Sequence, residues 1–563
     1  MARPAIPRRL VLVGLPVAVL IAVAAARQGR APSPVIVQLL AINDFHGNLD
    51  PPTGSNGLIG RTPAGGAEYL GTHLRNAIAR NPNSIIVAAG DLIGASPLIS
   101  ALFHDEPTIE SLNAMNLAVT SVGNHEFDHG PDELRRMQKG GCHPTDGCQD
   151  GDGFAGAAFQ YLAANVVEPV GEKVAPLFPA TAIRTIAGVK IGFIGETLRN
   201  TPRIVTPTGV RGLTFLDEAT TANAYAAELK QQGVKAIVLL IHEGGTQGGN
   251  ADPNGCRGFG GAIARIAEQL SPDIKVVISG HTHQFYNCTI AGHVVTSASS
   301  FGRMITRVDL KLDPADGTIT SVSATNETVS RGAAKDPDQT QLIAKDAASA
   351  APIATRVVGS VTGDIRRAIN RAGESALGNL IADAQLASTS PADKGGAVVA
   401  FTNSGGIRAD LVASSRAGTE EPGQITYSEL FTVQPFHNVM TVQTLTGSMI
   451  KRLLEQQFGG LAAGMTRILQ VSRGFTYSYR VNAPAGQHVS PGSIMIRGRV
   501  IGPTDRVRVA TNGFLADGGD GFTVFREGTD QLGGDIDVDA LVMYFRTESP
   551  VRPSPRNRIV RLD

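Results

Sequence analysis

The chain has 563 residues, with 50 basic and 50 acidic side chains that cancel to no formal net charge. That balance gives no global attraction to a nucleic-acid polymer or an acidic membrane, so any anion handled here must be drawn in locally. A 42% hydrophobic content supports two or three ordinary domains, and the abundant Gly and Pro follow no fixed period, so they mark turns.

At the N-terminus, Arg3, Arg8 and Arg9 precede the apolar run "LVLVGLPVAVLIAVAAA" over residues 10–26, which ends in small residues. This pattern predicts a signal peptide over residues 1–33, or an N-terminal anchor if it stays uncleaved. The run is slightly short for a membrane span and contains Pro16. No Cys follows to accept a lipid, and no other membrane-span candidate occurs in the sequence. Export to the cell envelope, periplasm or medium is therefore expected, and it makes disulfides compatible with the four cysteines. Cys142, Cys148, Cys256 and Cys288 allow three pairings, of which Cys142–Cys148 with Cys256–Cys288 is preferred. Neither pair has CxxC spacing, which disfavours a cysteine zinc site.

Residues 34–330 alternate apolar runs with helical patterns such as "AEYLGTHLRNAIARN" and "TANAYAAELKQQG". Five runs, at 35–44, 84–91, 116–124, 235–244 and 275–283, show little polar alternation, as strands buried on both faces do. An α/β layered domain is predicted. Residues 331–360 are Ala-rich and read as a helical linker. A second, smaller mixed α/β domain is expected over 361–555, with a helix in "ESALGNLIADAQLA" and a strand followed by a Gly turn in "GAVVAFTNSGGIRADL".

Each of the five runs ends in residues able to ligate a metal: Asp44 and His46, Asp91, Asn124, His242, then His281 and His283. In open α/β sheets ligands bind beyond the carboxyl ends of strands, so distance along the chain is no obstacle. A single strand-end His or Asp is usually structural or solvated, but five such ends with complementary donors are not easily accidental. Seven donors exceed one tetrahedral ion and suit two divalent ions, such as Zn, Mn, Co or Fe, that share a bridging carboxylate. Asp44 and Asp91 would cancel only half of that charge, leaving an attraction for a phosphate dianion. His125 follows Asn124 directly and could hold a phosphoryl oxygen or assist the leaving oxygen. Asp128 is placed to orient it, with capping of a helix beginning at "GPDELRRM" as the lesser reading. Glu126 and Glu243 read as supports for neighbouring ligands. His73, His104, His129, His143, His293 and His437 have no matching context and read as surface or core residues.

The forms "NDFHGNLD", "GNHEFD" and "SGHTHQ", with "TNSGGIR" and "FLADGGDGF" downstream, resemble the two-domain 5′-nucleotidase family of calcineurin-like metallophosphoesterases. The resemblance covers most of the chain after the export segment. It implies a four-layer α/β sandwich followed by a substrate-binding domain. It implies that Asp44, His46, Asp91 and His283 hold one ion, and that Asp91, Asn124, His242 and His281 hold the other. His125 and Asp128 would be the catalytic pair.

The second domain carries weaker local signals. "TNSGGIR" sets Asn403 and Arg408 around a Gly turn, and "RRAINR" sets Arg367 and Arg371 four apart, on one face if helical. Phe436 with Asn438, and Phe514 with Asp520, could sandwich a flat base and accept ribose hydroxyls, although a core role is the ordinary reading of a lone Phe. The resemblance implies nucleotide contacts from all eight. The expected activity is hydrolysis of nucleoside 5′-phosphates by metal-activated water, with nucleotides as the partners. The alternatives are a 2′,3′-cyclic-nucleotide phosphodiesterase or UDP-sugar hydrolase, a thiosulfate-type sulfur-ester hydrolase, and a non-catalytic nucleotide-binding ectodomain. The paired Phe residues argue against the sulfur-ester hydrolase, and the complete ligand set with His125 and Asp128 argues against the ectodomain.

Overall fold

A computed structural model describes residues 1–2, 33–149, 151–249, 251–416, 420–459 and 466–563. Of the N-terminal export segment expected over residues 1–33, residues 3–32 lie outside the described residues. Among the described residues, no helix is long and apolar enough to cross a membrane.

The five apolar runs become the strands Val35–Ile42, Ser84–Ala89, Leu117–Ser121, Ala236–His242 and Ile274–Ser279. They fall in two six-stranded sheets, the first three neighbouring one another in one sheet and the last two in the other. Pairing within each set is parallel. The sheets pack face to face through alternate residues: Val37, Leu39, Ala41 and Val87 of one meet Val238, Leu240, Val276 and Ile278 of the other. The intervening residues point outward. Leu40, Ile42 and Ile86 pack on Leu70 and Leu74 of helix Ala67–Arg80. Ile237, Leu239 and Ile241 pack on Ala222, Ala226 and Leu229 of helix Glu218–Gln231. Both strand faces are therefore buried, which is why the runs lack polar alternation. The result is the α/β/β/α four-layer sandwich, with the strands' C-terminal ends along a common edge.

Helix Pro337–Ala354 follows, N-capped by Asp336, whose side chain accepts from Asp338 and Gln339 N–H. Its Leu342 and Ile343 pack on the large lobe's helical layer, while Ala354 packs on the small lobe's core. The small lobe holds a five-stranded sheet containing Val399–Thr402, Val439–Thr446 and Arg506–Asn512. Helices Ala376–Thr389 and Asp537–Glu548 belong to the same lobe. Its strand Val357–Ser360 pairs with Gln424–Thr426, and Ile559–Arg561 pairs with Phe475–Tyr479, so small-lobe structure extends beyond residue 555.

Disulfides join Cys142 to Cys148 and Cys256 to Cys288, the preferred pairing of the three. "RRAINR" is not helical. Ile369 bridges Ser375, and the Asn370 side chain accepts from Ala372 and Glu374 N–H, so a tight turn forms where a helix would have put Arg367 and Arg371 on one face.

Candidate active site

The turns that leave the parallel strands carry the candidate metal ligands. Asp44, His46, Asp91, His281 and His283 all have positive φ, between 47° and 70°. Left-handed backbone is uncommon outside Gly, and it persists at functional sites where the surroundings over-determine it. Here it turns successive side chains toward one centre. Glycines admit the close approach: a Cβ on Gly123 would lie 2.2 Å from Asp91 Oδ1, and one on Gly280 2.9 Å from Asp44 Oδ2.

The donors converge in two groups, Asp44 with His46 and His283, and Asp91 with His242 and His281. Asp44 Oδ1 lies 3.3 Å from His283 Nε2, and Asp91 Oδ2 lies 3.0 Å from His242 Nε2. His46 Nε2 is 3.5 Å from Asp91 Oδ2, so Asp91 reaches both groups. Asn124 Oδ1 is 3.0 Å from His281 Nδ1.

Outer partners orient these donors. His46 Nδ1 lies 2.8 Å from the Gly94 carbonyl, and His242 Nδ1 2.8 Å from that of Ala89. A carbonyl only accepts, so each Nδ1 carries the proton and each Nε2 of a neutral ring is left as a lone pair. Asn43 donates to Asp44 Oδ2 and to the Ser299 carbonyl. Glu126 accepts from the N–H groups of Asp91, Leu92 and Gly123, tying two of the ligand-bearing turns together.

The donor set fits divalent ions on structural grounds. His242 Nε2 is buried 3.0 Å from Asp91 Oδ2 with no well-aligned hydrogen bond. His46 Nε2 and His283 Nε2 face each other at 3.1 Å. Burial drives the Asp44 carboxyl pKa up and holds the His46 and His283 imidazoles well down, while Asp91 is held low because nearby imidazoles outweigh its burial. His281 is pushed down to about 3, by burial and then by His242. Burial alone would lower the His242 pKa, but the Asp91 carboxylate outweighs it and raises it to about 10. That ring must give up its Nε2 proton to bind a cation, whereas His46, His281 and His283 are neutral donors already.

His125 Nδ1 lies 2.7 Å from Asp128 Oδ2. Burial alone would lower the His125 pKa, but the Asp128 and Asp91 carboxylates outweigh it and raise it. Asp128 does not cap the following helix, since Gly130 is the N-cap of Pro131–Lys139.

The small lobe closes over this centre. A cavity of about 730 Å³ is lined by Asn124, His125, Asp128 and His281 from one lobe. The other lobe contributes Asn403, Arg408, Phe436, Asn438, Phe514 and Asp520. Arg408 Nη2 comes to 3.4 Å from His46 Nε2, its guanidinium carbon lies 5.8 Å from the Phe436 ring centre, and Phe436 stacks on His125 at 5.7 Å. Asp520 accepts from Asn403 Nδ2 and from Arg467 Nη1, while Asn438 donates to Asp537. Arg367 donates to Asn56 Oδ1 across the lobe junction at 2.6 Å. Arg371 departs from this group: its guanidinium donates to the Asp563 carbonyl, because the turn at Asn370 directs it to the chain's C-terminal end.

Sequence reasoning missed Arg467, Asn512 and Asn56. Arg467 and Asn512 line the cavity, and Asn512 donates to Asn403 Oδ1 while capping helix Gly513–Ala516. The Asn at the head of "NGFLA" was the available signal for that cap. Asn56 also donates to the Arg408 carbonyl, and no local pattern marks it.

A four-layer sandwich with such strand-end donors defines a metal-dependent phosphoesterase. Residues 37–285 match the calcineurin-like phosphoesterase family, and residues 357–527 match the 5′-nucleotidase C-terminal domain. The chain is 33% identical over 541 residues to the cell wall protein Lmo0130 of Listeria monocytogenes, covering 91% of this chain and 67% of that one. It is 32% identical to endonuclease YhcR of Bacillus subtilis across 95% of its own length, but spans only 41% of that protein. The crystal structure of a 5′-nucleotidase precursor from Thermus thermophilus superposes with a TM-score of 0.76 at 25% identity, covering 94% of this chain and 100% of that chain. The chain belongs to the two-domain 5′-nucleotidase family of metallophosphoesterases.

Proposed function

We propose that this enzyme is an exported 5′-nucleotidase that converts nucleoside 5′-phosphates to nucleoside and phosphate with two divalent ions. Asp44, His46, Asp91 and His283 would hold one ion, and Asp91, Asn124, His242 and His281 the other, with Asp91 shared. Zn, Mn, Co and Fe all suit this donor chemistry. Such ions supply an acidified water and concentrated positive charge for an in-line displacement at phosphorus.

The chain's own groups do the rest. His125, oriented by Asp128, holds a phosphoryl oxygen or gives its proton to the departing oxygen. Arg408 offers paired N–H donors to the phosphate. Phe436 and Phe514 stack the base, and Asp520 keeps acceptor capacity for ribose hydroxyls beyond its bonds to Asn403 and Arg467. Asn403, Asn438 and Arg367 complete the substrate contacts. The observation that carries this reading is the single cavity shared by His125, His281, Arg408 and both Phe side chains. The N-terminal segment, the two disulfides and the likeness to a cell wall protein support export.

The likeness to an endonuclease favours one second reading, phosphodiester cleavage at the same centre. A single panel separates the two: phosphate release from nucleoside mono-, di- and triphosphates, beside cleavage of a 2′,3′-cyclic nucleotide and a single-stranded oligonucleotide. Monophosphate turnover that is abolished by chelation, restored by Mn, Zn or Co and absent in His125→Ala is expected. Full activity under tight chelation would refute the metal mechanism, and preferred cleavage of the oligonucleotide would install the second reading.

A further inference from the structure

His104 and His143 have no sequence motif, yet the structure stacks their rings face to face, with centroids 3.8 Å apart and planes 9° from parallel. Asp146 joins them, its Oδ2 3.0 Å from His104 Nε2 and 3.3 Å from His143 Nδ1. Glu133, on helix Pro131–Lys139, completes the group: donor atoms of His104, Glu133 and His143 all lie within 4.8 Å of one another.

Two separate devices fix these residues. His104 and Asp105 form a left-handed turn, with φ of 55° and 63°. Asp105 anchors that turn by accepting from Ser100 Oγ and from the Gly94 N–H. Gly94 is also the residue whose carbonyl orients His46, so the turn shares its frame with the first metal centre. His143 and Asp146 sit in the ring closed by Cys142–Cys148, tightened by the Gly147 N–H donating to the His143 carbonyl. A short cross-linked loop has little freedom to scatter its side chains.

The group also has an unmet need. His104 Nε2 is shielded from solvent and has no well-aligned hydrogen bond, despite the nearby carboxylate. Burial, with His143 beside it, lowers the His104 pKa and leaves the ring neutral with a lone pair to offer. Arg136 grips Glu133 at 2.9 and 2.6 Å and orients it, as outer partners orient ligating carboxylates.

We propose that His104, Glu133, His143 and Asp146 form a third divalent-metal site of the zinc class, on the wall of the cavity that holds the candidate active site. Two imidazoles with one or two carboxylates match zinc's donor preference and tetrahedral count. Binding would splay the two rings, which now lie parallel, so that each aims a nitrogen at the ion.

The competing account is a hydrogen-bonded His–Asp–His cluster without an ion. The test is zinc content of the full chain with disulfides intact, loaded with Zn²⁺, dialysed and measured by plasma mass spectrometry. His143→Ala and Asp146→Asn should each hold one equivalent less than the parent. That difference is independent of how many ions the nucleotidase centre takes, so failure here and failure of the nucleotidase reading are distinguishable. Both positions lie on a partly exposed loop, and near-UV circular dichroism in chelator checks that folding is kept. Should a variant misfold, acylation of His104 and His143 by diethyl pyrocarbonate in the parent decides instead. Protection of both by Zn²⁺ is expected. Equal zinc content in parent and variants, or equal labelling with and without zinc, would overturn the site.

Discussion

The two lobes build their halves of the site by different means. In the large lobe, parallel strands buried on both faces deliver the candidate ligands directly at their ends, and left-handed turns such as those at Asp44, Asp91 and His281 aim them inward. In the small lobe, the cavity-lining side chains ride on turns and hold one another, as Asn512 holds Asn403, and Asn403 with Arg467 holds Asp520. The first construction fixes a chemical centre through the backbone. The second shapes a pocket whose details depend on side-chain contacts. Loss of function should therefore be steep and general for large-lobe changes, and graded and substrate-selective for small-lobe ones.

The largest effect is expected at Asp91, which reaches both donor groups. Removing a partner that merely orients a ligand costs about 10–100-fold in metal affinity or activity, so Asp91→Asn should exceed that on every substrate, together with loss of bound metal. His125→Ala comes next. A fall in kcat of about 10²–10⁴ is expected, with metal content unchanged. If kcat and metal content fall together, His125 is a ligand support and not a group acting on substrate.

These two positions were also the most legible in the sequence. Uninterrupted apolar runs ending in Asp, Asn or His already state strand, burial and ligand, because the backbone does the positioning. "RRAINR" is the counter-example. Its spacing suits a helix, but the Asn370 side chain closes a turn that sends Arg371 to Asp563, and only tertiary context decides between the two. Arg467 and Asn56 were illegible for the same reason: each acts only through long-range contacts, Arg467 with Asp520 and Asn56 with Arg367 and Arg408. The His104–His143 stack depends on a loop geometry that the motif-free histidines do not announce.

Further down the scale, Glu126→Gln should lower metal affinity about 10–100-fold, because one carboxylate serves three backbone N–H groups that shape the ligand turns. Unchanged affinity would show that the turns hold their shape without it. Phe436→Ala should weaken nucleotide binding by about 1–3 kcal/mol, read as KM, while sparing a simple aryl phosphate. Equal loss on both would contradict base stacking and erase the contrast between the lobes. Asn56→Ala should have the smallest effect, about 0.5–1.5 kcal/mol for each interlobe hydrogen bond removed, read as a modest rise in KM without change in kcat.

In the proposed enzyme, distant strand ends assemble a centre for two ions around one aspartate. Anomalous diffraction from crystals of the metal-loaded protein tests it most directly. Two strong peaks about 3.5–4 Å apart, flanking the Asp91 carboxylate, are the expected result. A single peak there, or metal bound with Asp91 outside its coordination sphere, would contradict it.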